Sequence, residues 1–138
     1  MDDILNQIPG YKNNSHIIYA EDQESAMYIC AQMASDLLNK WNTNVAFFSL
    51  SCRSEALKAL VKNESAVARL YTVDQKNPDF RVIRDKAFGM YNRRFVRAII
   101  IEGKPKWNDG RVWEPTSFEW PNTTAVYVQV KEDSTSEP

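Results

Sequence analysis

The chain has 138 residues, 43% hydrophobic and 25% charged, with a formal net charge of −1. That length and composition fit one globular domain with a real core, and the near-neutral charge excludes a bulk polycation that would draw in nucleic acid or a membrane surface. No apolar run approaches the roughly 18–20 residues of a membrane span, and the opening MDDILNQIPG lacks the basic and apolar regions of a signal peptide.

The first apolar run, residues 16–20 (HIIYA), predicts a short strand. Ala26, Met27, Cys30, Met33, Ala34, Leu37, Leu38 and Trp41 then recur at helical spacing, which predicts an amphipathic helix over 23–40 packed on a sheet. Residues 45–50 (VAFFSL) are continuously apolar, the pattern of a strand buried on both faces. Residues 53–62 predict a short helix with Ala56, Leu57, Leu60 and Val61 on one side, and residues 68–73 (ARLYTV) a third strand.

Asn77-Pro78-Asp79 is a helix start, with Asn77 as cap, Pro78 in the first position and an acid in the first turn. Phe80, Ile83, Ala87 and Met90 or Tyr91 face inward on that helix, which Gly89 weakens a little. Residues 96–101 (VRAIII) form the most apolar strand and the expected centre of the sheet. Residues 103–122, rich in Gly, Pro, Asn and Trp, predict a structured loop with a turn of helix near 116–119. Residues 125–131 (AVYVQVK) are the fifth strand, and 132–138 a polar, disordered tail to a single domain spanning 1–131.

Strands that alternate with helices imply right-handed crossovers. The expected fold is therefore α/β: a three-layer, mainly parallel five-stranded sheet with flanking helices.

In order and spacing, residues 4–130 resemble the RecA-like motor domain of DnaB-type replicative helicases. Leu5, Ile8 and Gly10 look like the family's lead-in to its first strand. HIIYA sits where the family enters its phosphate-binding loop, SLSCRSEAL follows the second strand as the family's segment does, and RLYTVDQKNPDFRVIRDKA resembles its third strand, turn and helix. RAIIIE looks like the Walker B strand, and AVYVQV like the last core strand, with Gln129 at a polar position of the family.

The departures matter as much. A P-loop carries GxxxxGK[ST], whose backbone amides and Lys hold phosphate. Here the turn is Glu21, Asp22, Gln23, Glu24, Ser25, with no Gly, no Lys and three carboxylates that repel a triphosphate. Ser51 stands where the family places a catalytic Glu, and Glu102 where Walker B has Asp. The resemblance thus implies a P-loop NTPase fold without ATPase chemistry, catalytic residues, cofactor or bound metal.

Other candidates carry weaker signals. Arg81, Arg84, Lys86, Arg93, Arg94 and Arg97, interleaved with Phe88, Tyr91 and Phe95, can be read as a phosphate-binding stretch or as a solvated helix face. Lys104, Lys106, Trp107 and Arg111 fall at the edge of the sheet where open α/β folds bind ligands, and suit single-stranded nucleic acid; inward packing of Trp107 explains the same residues. His16, Cys30 and Cys52 form no recognisable nucleophilic or metal motif, and free thiols suit a cytoplasmic location.

Three functional expectations remain. The first is a non-catalytic, DnaB-like pseudo-ATPase domain that self-associates or docks on a helicase-type partner. The second is a single-stranded nucleic-acid module using the 103–113 loop. The third is an atypical nucleotide-binding enzyme completed by another chain. None involves a membrane.

Overall fold

The structure is a computed structural model that describes residues 15–39, 43–61, 64–94, 96–111 and 124–131. Its strands are β1 (Ser15–Ala20), β2 (Asn44–Ser49), β3 (Leu70–Asp74), β4 (Val96–Glu102) and β5 (Thr124–Val130). Its helices are α1 (Gln23–Asn39), α2 (Ser54–Leu60), α3 (Glu64–Val67) and α4 (Phe80–Arg94).

The strands form one all-parallel sheet in the order β1-β5-β4-β2-β3. The most apolar strand, β4, is central, as its composition predicts. β2 lies between β4 and β3, and Val45, Ala46, Phe47, Phe48 and Ser49 are all buried. Side chains alternate across it, so Phe47 enters one core and Phe48 the other. Burying each ring contributes about 1.5–3 kcal/mol relative to exposure.

The first core lies under α1. Met27, Cys30, Met33, Ala34, Leu37 and Leu38 meet Phe47, Ile100, Val126 and Val128 there, and Leu57 of α2 joins them. The second lies under α4, where Phe80, Ile83 and Ala87 meet Phe48, Ile99, Ile101 and Tyr127. This division follows from the connections. Those from β1 to β2 and from β2 to β3 run one way along the sheet, and the one from β3 to β4 runs back. With right-handed crossovers, opposite directions place helices on opposite faces, giving three layers in a RecA-like arrangement. None of the described helices is long and apolar enough to cross a membrane.

Several boundaries differ from the sequence reading. The third strand begins at Leu70, and a four-residue helix, α3, precedes it. Arg69 explains the offset. Its Nη2 donates to the Leu38 carbonyl at 2.5 Å, and its own carbonyl accepts from the Val45 amide. Arg69 thereby ties the end of α1 to the start of β2, and the β2–β3 register begins one residue later at Val45–Leu70.

Helix α4 starts at Phe80, and Asn77 is not its cap. Asp79 takes that role: its carboxylate accepts from the Arg81 amide, while Asn77 Oδ1 accepts from the Asp79 amide. The cause is distant in sequence. Lys106 N donates to the Pro78 carbonyl and Phe80 N donates to the Lys106 carbonyl, forming a parallel bridge between Asp79 and Lys106. The bridge holds residues 78–80 extended and delays the first helical turn. Lys40, Trp41 and Lys62, the turn of helix expected near 116–119, the lead-in at Leu5, Ile8 and Gly10 and the tail 132–138 lie outside the described residues.

Candidate functional site

β4 and β2 are neighbours, and the described residues that follow them pack on opposite faces of the sheet, α2 on the first core and Trp107 on the second. Open α/β sheets place ligands at the carboxyl ends of such strands. Glu102 ends β4 at this junction and faces Ser49 in register. Its side chain is buried, and the chain supplies it with donors. Ser49 Oγ and Ser51 Oγ donate to Oε1 at 2.7 and 2.5 Å, and Gln23 Nε2 donates to Oε2 at 2.8 Å. Ser49 Oγ also accepts from the Arg53 amide, so one hydroxyl joins the acid to the start of α2.

The turn that carries Ser51 is tightly wound. Leu50 N donates to the Glu102 carbonyl and Cys52 N to the Ser49 carbonyl. Cys52 has φ 59°, in the left-handed region that a non-glycine residue enters at a cost. Gly103, just past Glu102, has φ 120°, and a Cβ there would sit 2.7 Å from Leu50 Cβ. Glycine is therefore required where β4 leaves the sheet.

The β1–α1 connection is the second element of the site. Only Glu21 and Asp22 separate the strand from the helix. Asp22 Oδ1 accepts from the Ser25 amide at 2.7 Å, and the Asp22 carbonyl accepts from Ala26. Asp22 thus caps α1. The Ser25 amide holds its carboxyl below the usual range. Glu21 pairs with Lys131 at 2.6 Å, and Gln23 turns inward to Glu102. Of the five residues at the degenerate loop position, Glu21, Asp22 and Glu24 are exposed, while Gln23 and Ser25 are half-buried.

A cleft of about 640 Å³ opens over the ends of β1, β5 and β4. Gln23, Glu102 and Gly103 line one part of it, and Tyr19, Gln129 and Lys104 another.

The loop after β4 lies beside the start of α4. Lys104 and Lys106 are exposed, but the Lys106 backbone is fixed by the bridge to Asp79. Trp107 is half-buried, edge-on to Phe80 with ring centroids 5.5 Å apart. Arg111 lies 4.6 Å from the centre of the indole and pairs with Asp109 at 2.7 Å. The Arg111 amide leads in holding the Asp109 carboxyl below its usual range, and the guanidinium adds to it. The exposed members of the predicted set are therefore Lys104, Lys106 and Arg111, with one face of Trp107 beneath Arg111.

In the basic stretch Arg81 is exposed and Arg84 half-buried, and Lys86 donates to Gln75 Oε1. Phe95 and the side chains of Tyr91, Arg93, Arg94 and Arg97 lie outside the described residues. His16 lies near the start of β1 at the amino end of the parallel sheet, whereas Ser51 and Cys52 follow β2 at the carboxyl end, so neither pairs with the histidine. Burial lowers the His16 pKa. It raises that of the fully buried Cys30 well above the thiol range, with Glu102 adding to the effect. Among the described residues no group of three or more His, Cys, Asp and Glu could hold a metal ion.

Sequence reasoning identified Glu102, Ser51 and the acidic turn but missed Ser49 and Gln23 as partners of Glu102. The available signal was the Ser49-Leu50-Ser51 alternation at a strand end, which puts two hydroxyls on the side of a neighbouring acid. No family model matches this sequence, and no curated protein is significantly similar to it.

Proposed function

We propose that the chain is a non-catalytic, DnaB-helicase-like pseudo-ATPase domain of the cytoplasm that works by binding a second copy or a helicase-type protein. The observation that carries this reading is the β1–α1 turn. The helix amide that would meet a phosphate oxygen is bound by Asp22, and Glu21 and Glu24 add negative charge beside it. A two-residue connection provides no loop to wrap a phosphate. Glu102 is tied into the fold itself, with Ser49 and Ser51 donating to one carboxylate oxygen and Gln23 to the other.

Calorimetric titration with Mg-ATP tests the loss of nucleotide binding, and size-exclusion light scattering tests self-association. The expected result is no heat of binding with ATP up to about 1 mM, a weak-affinity limit. Micromolar affinity overturns the reading and favours an enzyme completed by a partner.

The exposure of Lys104, Lys106 and Arg111 favours a second reading, a single-stranded nucleic-acid module. In that case poly-dT changes the tryptophan emission at low salt, and Trp107→Ala weakens binding by roughly 1–3 kcal/mol. Lys104→Ala and Lys106→Ala flatten the salt dependence. Unchanged emission and anisotropy at about 100 µM protein, within the weak non-specific range, leave protein docking as the role.

A further inference from the structure

His16 is the only histidine of the chain, and the fold leaves one nitrogen of its ring without a partner. The side chain lies on the same face of β1 as Ile18 and Ala20, which pack in the first core. It faces the buried Val126 in register on β5. Its Nε2 is closed off from solvent and makes no hydrogen bond. An imidazolium carries a proton on each ring nitrogen. The proton on Nε2 would therefore meet neither an acceptor nor water, a costly state for a charged group.

The surroundings do not offset that cost. β1 packs chiefly against β5 and α1. On β5 the residues of this face nearest His16 are Thr124, Val126 and Val128, none of them ionisable. Tyr19 of β1 is exposed, and Glu21 beyond it pairs with Lys131 at the far end of the strand. Along α1, Glu24 lies in the first turn at the carboxyl end of the sheet, Tyr28 is exposed, and burial keeps Cys30 a neutral thiol. Asp36 stands nearer the amino end but makes no bond to Nε2. Burial alone lowers the His16 pKa, and no described acid raises it.

β1 is poorly placed to absorb the cost, because it is an edge strand with β5 as its one strand neighbour. Its carboxyl end is held by Lys131, whose amide donates to the Ala20 carbonyl at 2.7 Å and whose Nζ pairs with Glu21 at 2.6 Å. His16 sits toward the other end. We propose that β1 is an acid-sensitive strand: protonation of His16 unpairs its amino-terminal part from β5, hinging at Ala20, and bares the edge of β5. Acid is the destabilising direction, because the ring pKa is lowered in the folded chain. The stability that the neutral ring gives β1 is complete above about pH 6.5 and is lost as pH falls from there through the lower folded value. The device is independent of the pseudo-ATPase reading, which the ATP titration tests alone.

The test follows the full chain by NMR from about pH 7.5 to about pH 5, the range in which histidine titrates. The imidazole signals come from a single residue and give its pKa directly. Hydrogen exchange, corrected for its intrinsic pH dependence, gives the opening constants of the β1 amides bonded to β5. The expected result is a ring that titrates below about 6.5. The β1 opening constants rise with it, by up to about tenfold per pH unit, and stay above those of β2. His16→Phe, which takes up no proton, keeps them flat across the range. If that variant does not fold, the ring titration and exchange of the unaltered chain decide together. A ring that titrates at about 6.5 or above overturns the proposal. So does β1 opening that is unchanged by pH or occurs only together with β2, and so does a pH response that survives in His16→Phe.

Discussion

Gly103 and Asp22 show how single residues fix the edge of the sheet. Gly103→Ala introduces a Cβ into a backbone at φ 120° and against Leu50 Cβ. The expected loss is roughly 1–3 kcal/mol, the scale for a residue forced into a sparsely populated region, measured by denaturant unfolding. Leu50→Ala should not rescue it, because the close contact is with Cβ, which alanine retains. Asp22→Ala removes the cap of α1 and should lower the melting temperature at neutral pH by a few degrees. The folded Asp22 pKa is depressed by the Ser25 amide. Its stabilisation is therefore complete above the ordinary carboxylate pKa and disappears as pH falls through the lower folded value. Melting curves of the two proteins should converge as the pH falls through that lower folded value and differ less at high salt. Asp22 and Glu102 were legible in the sequence as acids in telling places. Ser49 and Gln23 were not, because only pairing between β2 and β4, and the inward turn of α1, bring them to Glu102.

At the scale of elements, the strands were easier to read than the helix boundaries. Parallel strands are buried on both faces, so they appear as continuous apolar runs whatever their neighbours do. Helix ends depend on partners elsewhere. The start of α4 follows from a bridge to Lys106, and α3 is too short for a hydrophobic period to emerge. Trp107 was open to two readings from sequence, and its edge-on contact with Phe80 depends on that same bridge. The two faces of β2 make a direct test of its place in the sheet. Phe47→Ala should destabilise the fold by about 3–5 kcal/mol, the usual cost of emptying a buried aromatic site. The measurement is equilibrium unfolding in urea, with an unchanged slope if the native state stays as compact.

Across the whole molecule, β1 occupies an edge of the sheet and its sole strand neighbour is β5, the last described strand. β2, β3 and β4 pair among themselves without either. The order of assembly is therefore the reverse of what the order of synthesis suggests. Among the described strands, the first to be synthesised has no strand partner until nearly all of the described chain has followed it. During that interval Ile17 and Ile18 are exposed, and closing so long a segment is slow. In pulse-labelled hydrogen exchange during refolding, the amides of Ile17 and Ile18 should gain protection with those of β5 and after those of β2 and β4. Protection of β1 ahead of β5 would contradict this order. A nascent chain stalled before residue 124 should accordingly present β1 as a free strand, the state in which a chaperone, or a second chain still being made, would first meet this protein.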